Sequence, residues 1–163
     1  MSNLQTSISA QARDQEMQSQ EPPAPDTYGI GDASFRAAGG EPGIQKLVED
    51  FYEIMGGSAR SARLFSMHPD NIEISIDKLA RFLCGWLGGP ARYSEKYGPI
   101  RLPMAHAHLP VTGEDRDAWL WCMEQALRRQ PYPEKFQRYL LQALSIPSER
   151  IVEVCRHMRG ASA

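Results

Sequence analysis

Two histidines lie in a short apolar segment that prolines bound on both sides, Pro103-Met104-Ala105-His106-Ala107-His108-Leu109-Pro110-Val111. Neutral imidazole is the commonest metal-ligating side chain, so this segment could hold a metal ion or a metal-centred cofactor. A histidine between small apolar residues also occurs as a packed, hydrogen-bonded core residue. Both interpretations of His106 stay open on this segment alone.

Three further side chains could supply hydrogen bonds to a site, namely Tyr52, His68 and Trp119. Tyr52 and Trp119 lie on the apolar sides of predicted helices, where an aromatic ring packs in the core and its polar tip finds a partner. His68 precedes Pro69 and fits a chain corner. Taken by themselves, these residues are compatible with structural roles.

The sequence has no motif of the common hydrolase and nucleotide chemistries. A Walker loop, a dinucleotide-binding glycine motif, a G-x-S-x-G elbow and an H-E-x-x-H pair are all absent from the 163 residues. A formal net charge of -2 also gives no concentrated basic surface for nucleic acid or an anionic membrane. We therefore expect neither as a partner.

Composition favours a cytoplasmic globular protein. The hydrophobic share of 42% and the charged share of 23% are ordinary for a globular domain. No apolar run reaches the ~20 residues that span a bilayer, and no secretory signal is visible. Three widely spaced cysteines, Cys84, Cys122 and Cys155, indicate reduced thiols and hence the cytoplasm.

The chain divides into a tail and one domain. Residues 1–27 are rich in Gln, Ser, Glu and Pro and contain no aromatic residue. Such a segment buries too little apolar surface to offset the entropy lost on ordering. We expect residues 1–27 to form a disordered tail and residues 28–163 to form the domain.

Apolar residues recur at spacings of three and four along most of the domain, which predicts amphipathic helices. The clearest pattern covers residues 44–55, and a second covers residues 72–86. A short helical turn is expected over residues 59–65. Residues 91–100 fit a loop or one short helix.

Capping side chains mark two of the helix starts. Asp70 or Asn71 can cap the helix over residues 72–86. Thr112 and Asp115 resemble a capping box with the shorter acid, which predicts a helix that begins near Thr112.

The last helical region, from residue 136 onward, contains Pro147. A proline removes one backbone donor and clashes with the preceding turn, so we expect Pro147 to kink or interrupt the helix and Ser148 to cap its continuation. No period-two strand pattern of useful length is present. The domain is therefore predicted to be all-α.

In combination, these segments resemble the group II truncated haemoglobins. The shared motifs follow the family's order and spacing: Phe51-Tyr52, the segment Leu64 to Asp70 with His68-Pro69, Phe82-Leu83-Cys84-Gly85-Trp86-Leu87-Gly88-Gly89-Pro90 with Tyr93, then His106, Pro110 and Asp115-Arg116-Asp117-Ala118-Trp119-Leu120. The resemblance is close over residues 28–127 and looser in the last helix. No single motif is specific, but the combination is.

This resemblance implies an all-α truncated globin fold, a two-over-two helical sandwich around one non-covalent haem b (iron protoporphyrin IX). The lack of a C-x-x-C-H run agrees with non-covalent binding. His106 corresponds to the proximal iron ligand, whereas His108 lies where the family usually has a non-ligand residue. A neutral imidazole can hold haem iron on one side and leave the other axial position open.

On the ligand side, Tyr52 corresponds to the family's distal tyrosine and Trp119 to its distal tryptophan. His68 corresponds to a variable corner position. A phenol, an indole N–H and an imidazole N–H are therefore expected to face the ligand. Ser75 occupies the position where animal globins often have a distal histidine, and Leu79 lies one turn further along the same face.

Contacts to the haem edge depart from the family pattern. Relatives commonly carry arginines just before the proximal histidine, where this sequence has Pro103 and Ala105. Lys78 and Tyr93 match positions that contact haem propionates in the family, and Arg101 is a further candidate. The expected apolar wall of the pocket comprises Leu79, Phe82, Trp86 and Met104.

The resemblance implies reversible binding of dioxygen, carbon monoxide, nitric oxide or other small ligands. Several distal donors slow ligand escape, which suits oxygen, nitric oxide or peroxide chemistry, or detoxification, better than oxygen delivery. A reductase of unknown identity would serve such redox chemistry, and a homodimer is compatible with the resemblance.

Three alternatives stay open. A peroxidase-like haem enzyme would use His68 to move protons during peroxide cleavage. His68 could instead bind the iron itself in the ligand-free state. A haemless globin-fold interaction module would retain His106 as a structural residue. Whether the protein is an enzyme is therefore also open.

Overall fold

The computed structural model describes residues 21–161, which form eight α-helices and two short 3-10 helices. The α-helices are α1 (Ala33–Ala37), α2 (Gly40–Gly57), α3 (Ala62–Ser66), α4 (Ile72–Trp86), α5 (Arg92–Tyr97), α6 (Leu102–His106), α7 (Gly113–Arg128) and α8 (Glu134–Ala161). The 3-10 helices are Pro25–Thr27 and Ala59–Ser61. Within this part of the chain there is no β-strand, so the all-α prediction is confirmed.

The helices pack as two crossed pairs. Helix α2 packs against α4 and α7, and α8 packs against α7 and α6. The pair α2 and α4 therefore lies over the pair α7 and α8, in the two-over-two arrangement expected. The core between the pairs is formed by fully buried apolar side chains, the largest being Phe51, Phe136, Ile44, Leu47, Met55, Leu83, Met123, Leu127 and Leu140.

The amphipathic pattern over residues 44–55 is confirmed, because every apolar residue on that line is buried in α2. Helix α4 is capped by Asn71, whose side chain accepts a hydrogen bond from the Glu73 amide, and not by Asp70. It ends at Trp86, and Gly88, two residues later, has a φ of 94°, in the left-handed region. A Cβ atom there would lie 1.9 Å from the Gly31 carbonyl oxygen, so only glycine lets the N-terminal segment cross the end of α4.

Helix α8 is not interrupted at Pro147, contrary to expectation. It runs without a break from Glu134 to Ala161. Ser148 does not cap a new helix, since its hydroxyl donates to the Ser145 carbonyl one turn earlier, at 2.9 Å. Packing of α8 against α6 and α7 outweighs the hydrogen bond that the proline removes.

The start of the predicted domain packs against its last helix. The Tyr28 ring contacts Phe136 and Tyr139 of α8, with centroid distances of 5.1 and 5.2 Å. Most of the predicted tail, residues 1–20, lies outside the described residues, and its last part contains the first 3-10 helix. None of the described helices combines the length and apolar character that a membrane span requires.

The capping box at the start of α7 is formed as predicted and is extended by an ion pair. The Thr112 amide donates to the Asp115 carboxylate at 2.9 Å, and the Asp115 amide donates to the Thr112 hydroxyl at 3.3 Å. Arg63 of α3 also donates to this carboxylate. Burial alone would raise the pKa of Asp115, but the hydrogen bonds from Arg63 and Thr112 outweigh burial, and the pKa lies below its ordinary 3.8.

We predict that Asp115→Asn lowers the free energy of unfolding by about 1–2 kcal/mol at pH 7, because it removes the cap and the partner of Arg63. A carboxylate with a lowered pKa stabilises the fold above its unfolded pKa and loses this effect as the pH falls through the folded pKa. The variant's deficit should therefore shrink below about pH 4. Urea unfolding from pH 7 to pH 3 measures this. Asp117→Asn, at an exposed carboxylate of the same helix, is the control, and an equal pH-independent loss in both variants would contradict the assignment.

Candidate functional site

A cavity of about 440 Å³ opens between the two helix pairs and brings together most of the predicted site residues. Its walls come from α2, α4, α6, α7 and α8 and from the segment between α3 and α4. Nine of the twelve predicted side chains line it: Tyr52, His68, Ser75, Lys78, Leu79, Phe82, Tyr93, His106 and Trp119.

His106 is the last residue of α6 and is oriented by a single hydrogen bond. Its Nδ1 lies 2.7 Å from the Leu102 carbonyl oxygen, one turn earlier. A carbonyl only accepts, so Nδ1 carries the proton and the Nε2 lone pair is left for another partner. Metal-ligating histidines commonly donate their second ring N–H in this way. His108 also lines the cavity, but it is exposed and has no such bond within residues 21–161.

His68 has the same local bond on another wall of the cavity. Its Nδ1 lies 3.0 Å from the Leu64 carbonyl oxygen, so its Nε2 also carries a lone pair. Burial lowers the pKa of His68, against the effect of its backbone hydrogen bonds, so the ring is neutral at pH 7. In this tautomer His68 presents the Nε2 lone pair, a hydrogen-bond acceptor, to the cavity.

Tyr52 and Trp119 supply the donors of the cavity. Neither the Tyr52 hydroxyl nor the Trp119 indole N–H has an acceptor among residues 21–161. Within that range, every fully buried side-chain nitrogen or oxygen has a hydrogen-bond partner. Since the Tyr52 hydroxyl and the Trp119 N–H have none, they are not fully enclosed by protein and border the open space of the cavity. Burial raises the pKa of Tyr52, which keeps its hydroxyl protonated.

The rings that carry these groups are held by edge-to-face contacts. The Phe51 ring packs against Tyr52 and Trp119, with both centroid distances 5.0 Å. Tyr52 in turn packs at 81° against His68, with a centroid distance of 5.4 Å. These contacts tie α2, α7 and the segment after α3 into one rigid wall.

Helix α4 contributes both polar and apolar side chains to the cavity. Ser75, Leu79 and Phe82 follow at spacings of four and three, which places them on one side of the helix toward the cavity. Lys78 is exposed at the cavity edge, and its ammonium lies 5.4 Å from the Tyr97 ring centroid. Tyr93 meets Phe82 edge to face at 6.5 Å.

Helix α5, which carries Tyr93, is anchored to α4 by Asp77. Its carboxylate accepts hydrogen bonds from Lys96 at 2.7 Å, from the Tyr97 hydroxyl and from Arg81 at 2.8 Å. The bonds from Lys96 and Tyr97 hold the pKa of Asp77 far below its usual range. This cluster fixes Lys78 and Tyr93 at the same edge of the cavity.

Three predicted residues are not brought into the cavity. Met104 lies on the outer side of α6 with 59% of its surface exposed, because a residue two positions before His106 points away from it on a helix. Trp86 stacks on Phe82 at 6.3 Å and is 37% exposed. Arg101 is exposed at the N-cap of α6.

Sequence reasoning missed the wall that α8 provides. Four residues of α8 line the cavity, namely Leu144, Pro147, Ser148 and Ile151. The spacing of seven between Leu144 and Ile151 marks a buried helix side, but nothing in that pattern distinguishes a cavity wall from solid core.

The donor set suits a cofactor-borne metal and not a bare ion. Within residues 21–161 no group of three His, Cys, Asp or Glu side chains is placed to hold a metal ion. One oriented imidazole in a largely apolar cavity instead fits a metal whose remaining ligands come from an organic ring, as in haem. His106, with Lys78 and Tyr93 at the edge, could hold such a group.

Comparison with known proteins agrees with this geometry. Residues 33–151 match the family model of bacterial-like globins. The chain is 30% identical over 113 residues to the group 2 truncated hemoglobin YjbI of Bacillus subtilis (strain 168), across 69% of this chain and 83% of that protein.

Solved structures are similar over the same region. A cold-adapted truncated hemoglobin from the Antarctic marine bacterium Pseudoalteromonas haloplanktis TAC125 superposes with a TM-score of 0.70 at 27% identity, across 73% of this chain and 96% of that one. A truncated oxygen-avid haemoglobin from Bacillus subtilis superposes with a TM-score of 0.67 at 29% identity, across 73% and 98%.

Proposed function

Since the chain belongs to the bacterial-like globins and, among them, to the group II truncated haemoglobins, we propose that it binds one haem b and reversibly holds dioxygen or another diatomic ligand. The observation that carries this proposal is the His106 imidazole, whose Nδ1–H is committed to Leu102 while Nε2 is free at an apolar cavity. Carbon monoxide and nitric oxide are further ligands of this class.

Residues of this chain account for the binding of the group. His106 Nε2 would hold the iron, Leu79 and Phe82 would pack on the ring, and Lys78 with Tyr93 would meet its carboxylates at the cavity edge. When bound, haem would supply the iron on which a diatomic ligand is held, and His106 would be the residue of this chain that ligates it.

Tyr52 and Trp119 then determine how long a ligand stays. Both are hydrogen-bond donors that find no acceptor within residues 21–161, and the walls of their cavity are mostly apolar. A ligand with partial negative charge gains roughly 1–3 kcal/mol from each donor in such surroundings. Slow escape supports a role in oxygen, nitric oxide or peroxide chemistry, or in detoxification, in preference to oxygen delivery.

The primary test concerns the proximal ligand. We predict that His106→Gly abolishes the normal ferrous absorption spectrum of the haem-reconstituted protein and that added imidazole restores it, because free imidazole can occupy the space of the deleted ring. His108→Gly is the matched control and should retain the wild-type spectrum. If His106→Gly retained it while His108→Gly lost it, the proximal assignment would be wrong; a wild-type protein with no Soret band would favour a haemless interaction module.

A second prediction concerns the distal donors. Tyr52→Phe keeps the ring and its contact with Phe51 but removes the hydroxyl, so the dioxygen dissociation rate should rise roughly tenfold, the equivalent of ~1.4 kcal/mol. Stopped-flow displacement of dioxygen by carbon monoxide measures this rate. Tyr139→Phe, which removes a hydroxyl outside the cavity, should leave it unchanged. Equal rates in wild type and Tyr52→Phe would exclude the hydroxyl as a ligand donor.

A peroxidase-like activity is the second candidate function, and the state of His68 favours it. A neutral imidazole with a free Nε2 can take a proton from a peroxide in the cavity and return it to the departing oxygen. The same lone pair would allow His68 to bind the iron in the ligand-free state.

We predict that turnover of hydrogen peroxide with a reducing dye falls about 100-fold in His68→Ala, since general acid–base catalysis contributes factors of this order. His157→Ala, at an exposed histidine of α8, should retain wild-type turnover. Equal turnover in both variants would leave ligand binding as the function of the site.

The state of the cysteines bears on the cellular compartment in which the protein works. Cys84, Cys122 and Cys155 are all buried and free, with no disulfide among the described residues. This supports a reducing compartment, and hence the cytoplasm, where a reductase would keep the haem ferrous. A homodimer remains a prediction.

A further inference from the structure

The position of the helix that carries His106 depends on contacts with other parts of the fold. Helix α6 has five residues, too few to be stable in isolation. His106 is its last residue, where backbone carbonyls have no partner within the helix. The segment after it, residues 107–111, is irregular until the cap of α7. The direction of His106 Nε2 therefore depends on bonds from elsewhere in the fold.

Three side chains from other elements bind carbonyls of this segment. The Cys155 thiol of α8 donates to the His106 carbonyl at 3.1 Å. Arg63 donates to Pro110, and Arg159 to Val111, also at 3.1 Å each. Both arginines are exposed, whereas Cys155 is fully buried. The bond from Cys155 is therefore the one that solvent competes with least.

The Cys155 bond completes the constraints on His106. Its carbonyl also accepts the Leu109 amide at 2.9 Å, so both lone pairs of that oxygen are used. The imidazole is bonded to Leu102 at the same time. The peptide plane and the ring of His106 are thus held by independent contacts, one of which reaches α8.

We propose that Cys155 is a positioning residue for the proximal ligand: its thiol hydrogen bond to the His106 carbonyl sets the direction of Nε2 toward the iron. This inference rests on the proposed function, because it concerns the ligand of a bound haem. Cys155 touches neither the cavity nor a reacting atom, and it acts only through His106. A protonated thiol is required, since a thiolate has no hydrogen to donate.

The test distinguishes the effect of losing the hydrogen-bond donor from the effect of changing the side-chain volume. Cys155→Ala and Cys155→Val both remove the donor, and Val retains side-chain volume should the smaller Ala prevent folding. Cys155→Ser restores a donor in a similar volume. Cys122→Ala, at another fully buried cysteine, is the matched control for loss of a core thiol.

The readout is the iron–histidine stretching band of the ferrous haem protein in resonance Raman spectra, together with the rate of haem transfer to apomyoglobin. Cys155→Ala and Cys155→Val should shift and broaden the band and speed haem loss about threefold, the effect of one weak hydrogen bond. Cys155→Ser and Cys122→Ala should keep the band at its wild-type position.

Two outcomes would overturn the inference alone. The first is that Cys155→Ala and Cys155→Val keep the wild-type band position and the wild-type rate of haem loss. The second is an equal band shift in Cys155→Ser and Cys155→Val, which would show that side-chain packing matters and the hydrogen bond does not. A wild-type protein without an iron–histidine band, or with one that survives His106→Gly, would overturn the proposed function first and this inference with it.

Discussion

The hydrogen bond from His106 Nδ1 to the Leu102 carbonyl is the interaction on which the site depends. It selects the tautomer, so that the lone pair is on Nε2, and it fixes the ring relative to α6. The Leu102 carbonyl lies within reach of the His106 ring because the chain forms one helical turn between these two residues. The proline at position 103 fits this turn, since its missing N–H costs nothing at the start of a helix. Because α6 is too short to be stable alone, hydrogen bonds from α3 and α8 help to hold this segment in position.

The two histidines share a local bond but differ in what surrounds them. His106 ends the short helix α6, whereas His68 lies between the aromatic rings of Tyr52 and Phe65. The hydrogen-bond donors Tyr52 and Trp119 and the neutral imidazole of His68 therefore line the same cavity. Donors retain a polarised ligand, and a base moves protons to or from it. In the proposed function, ligand retention would depend on Tyr52 and Trp119, and proton-coupled redox chemistry would depend on His68.

Sequence patterns were sufficient where a physical signal repeats or is local. The line from Ile44 to Met55 predicted the buried face of α2, and Thr112 with Asp115 predicted the start of α7. Nine of the twelve residues that the family resemblance implied for the site line one cavity. The resemblance could not place Met104, because a five-residue helix has no periodicity from which to read its inner side.

Other features could not be predicted because they depend on contacts between distant segments. The continuity of α8 through Pro147 follows from packing on α6 and α7, which a local rule for proline ignores. The Cys155 thiol bond joins residues 49 positions apart. The hydrogen-bond role of His68 follows from a tautomer that only the position of the Leu64 carbonyl reveals.

Helix α7 is the common reference for both sides of the cavity. It carries Trp119 on the ligand side, and its cap directly follows the segment that contains His106. Arg63 connects α3, just before His68, to the Asp115 cap and to the Pro110 carbonyl. The distal corner and the proximal segment are therefore bonded to the same helix terminus. Arg63 therefore links the chain just before His68 to the segment just after His106, in addition to the contacts that each makes with the core.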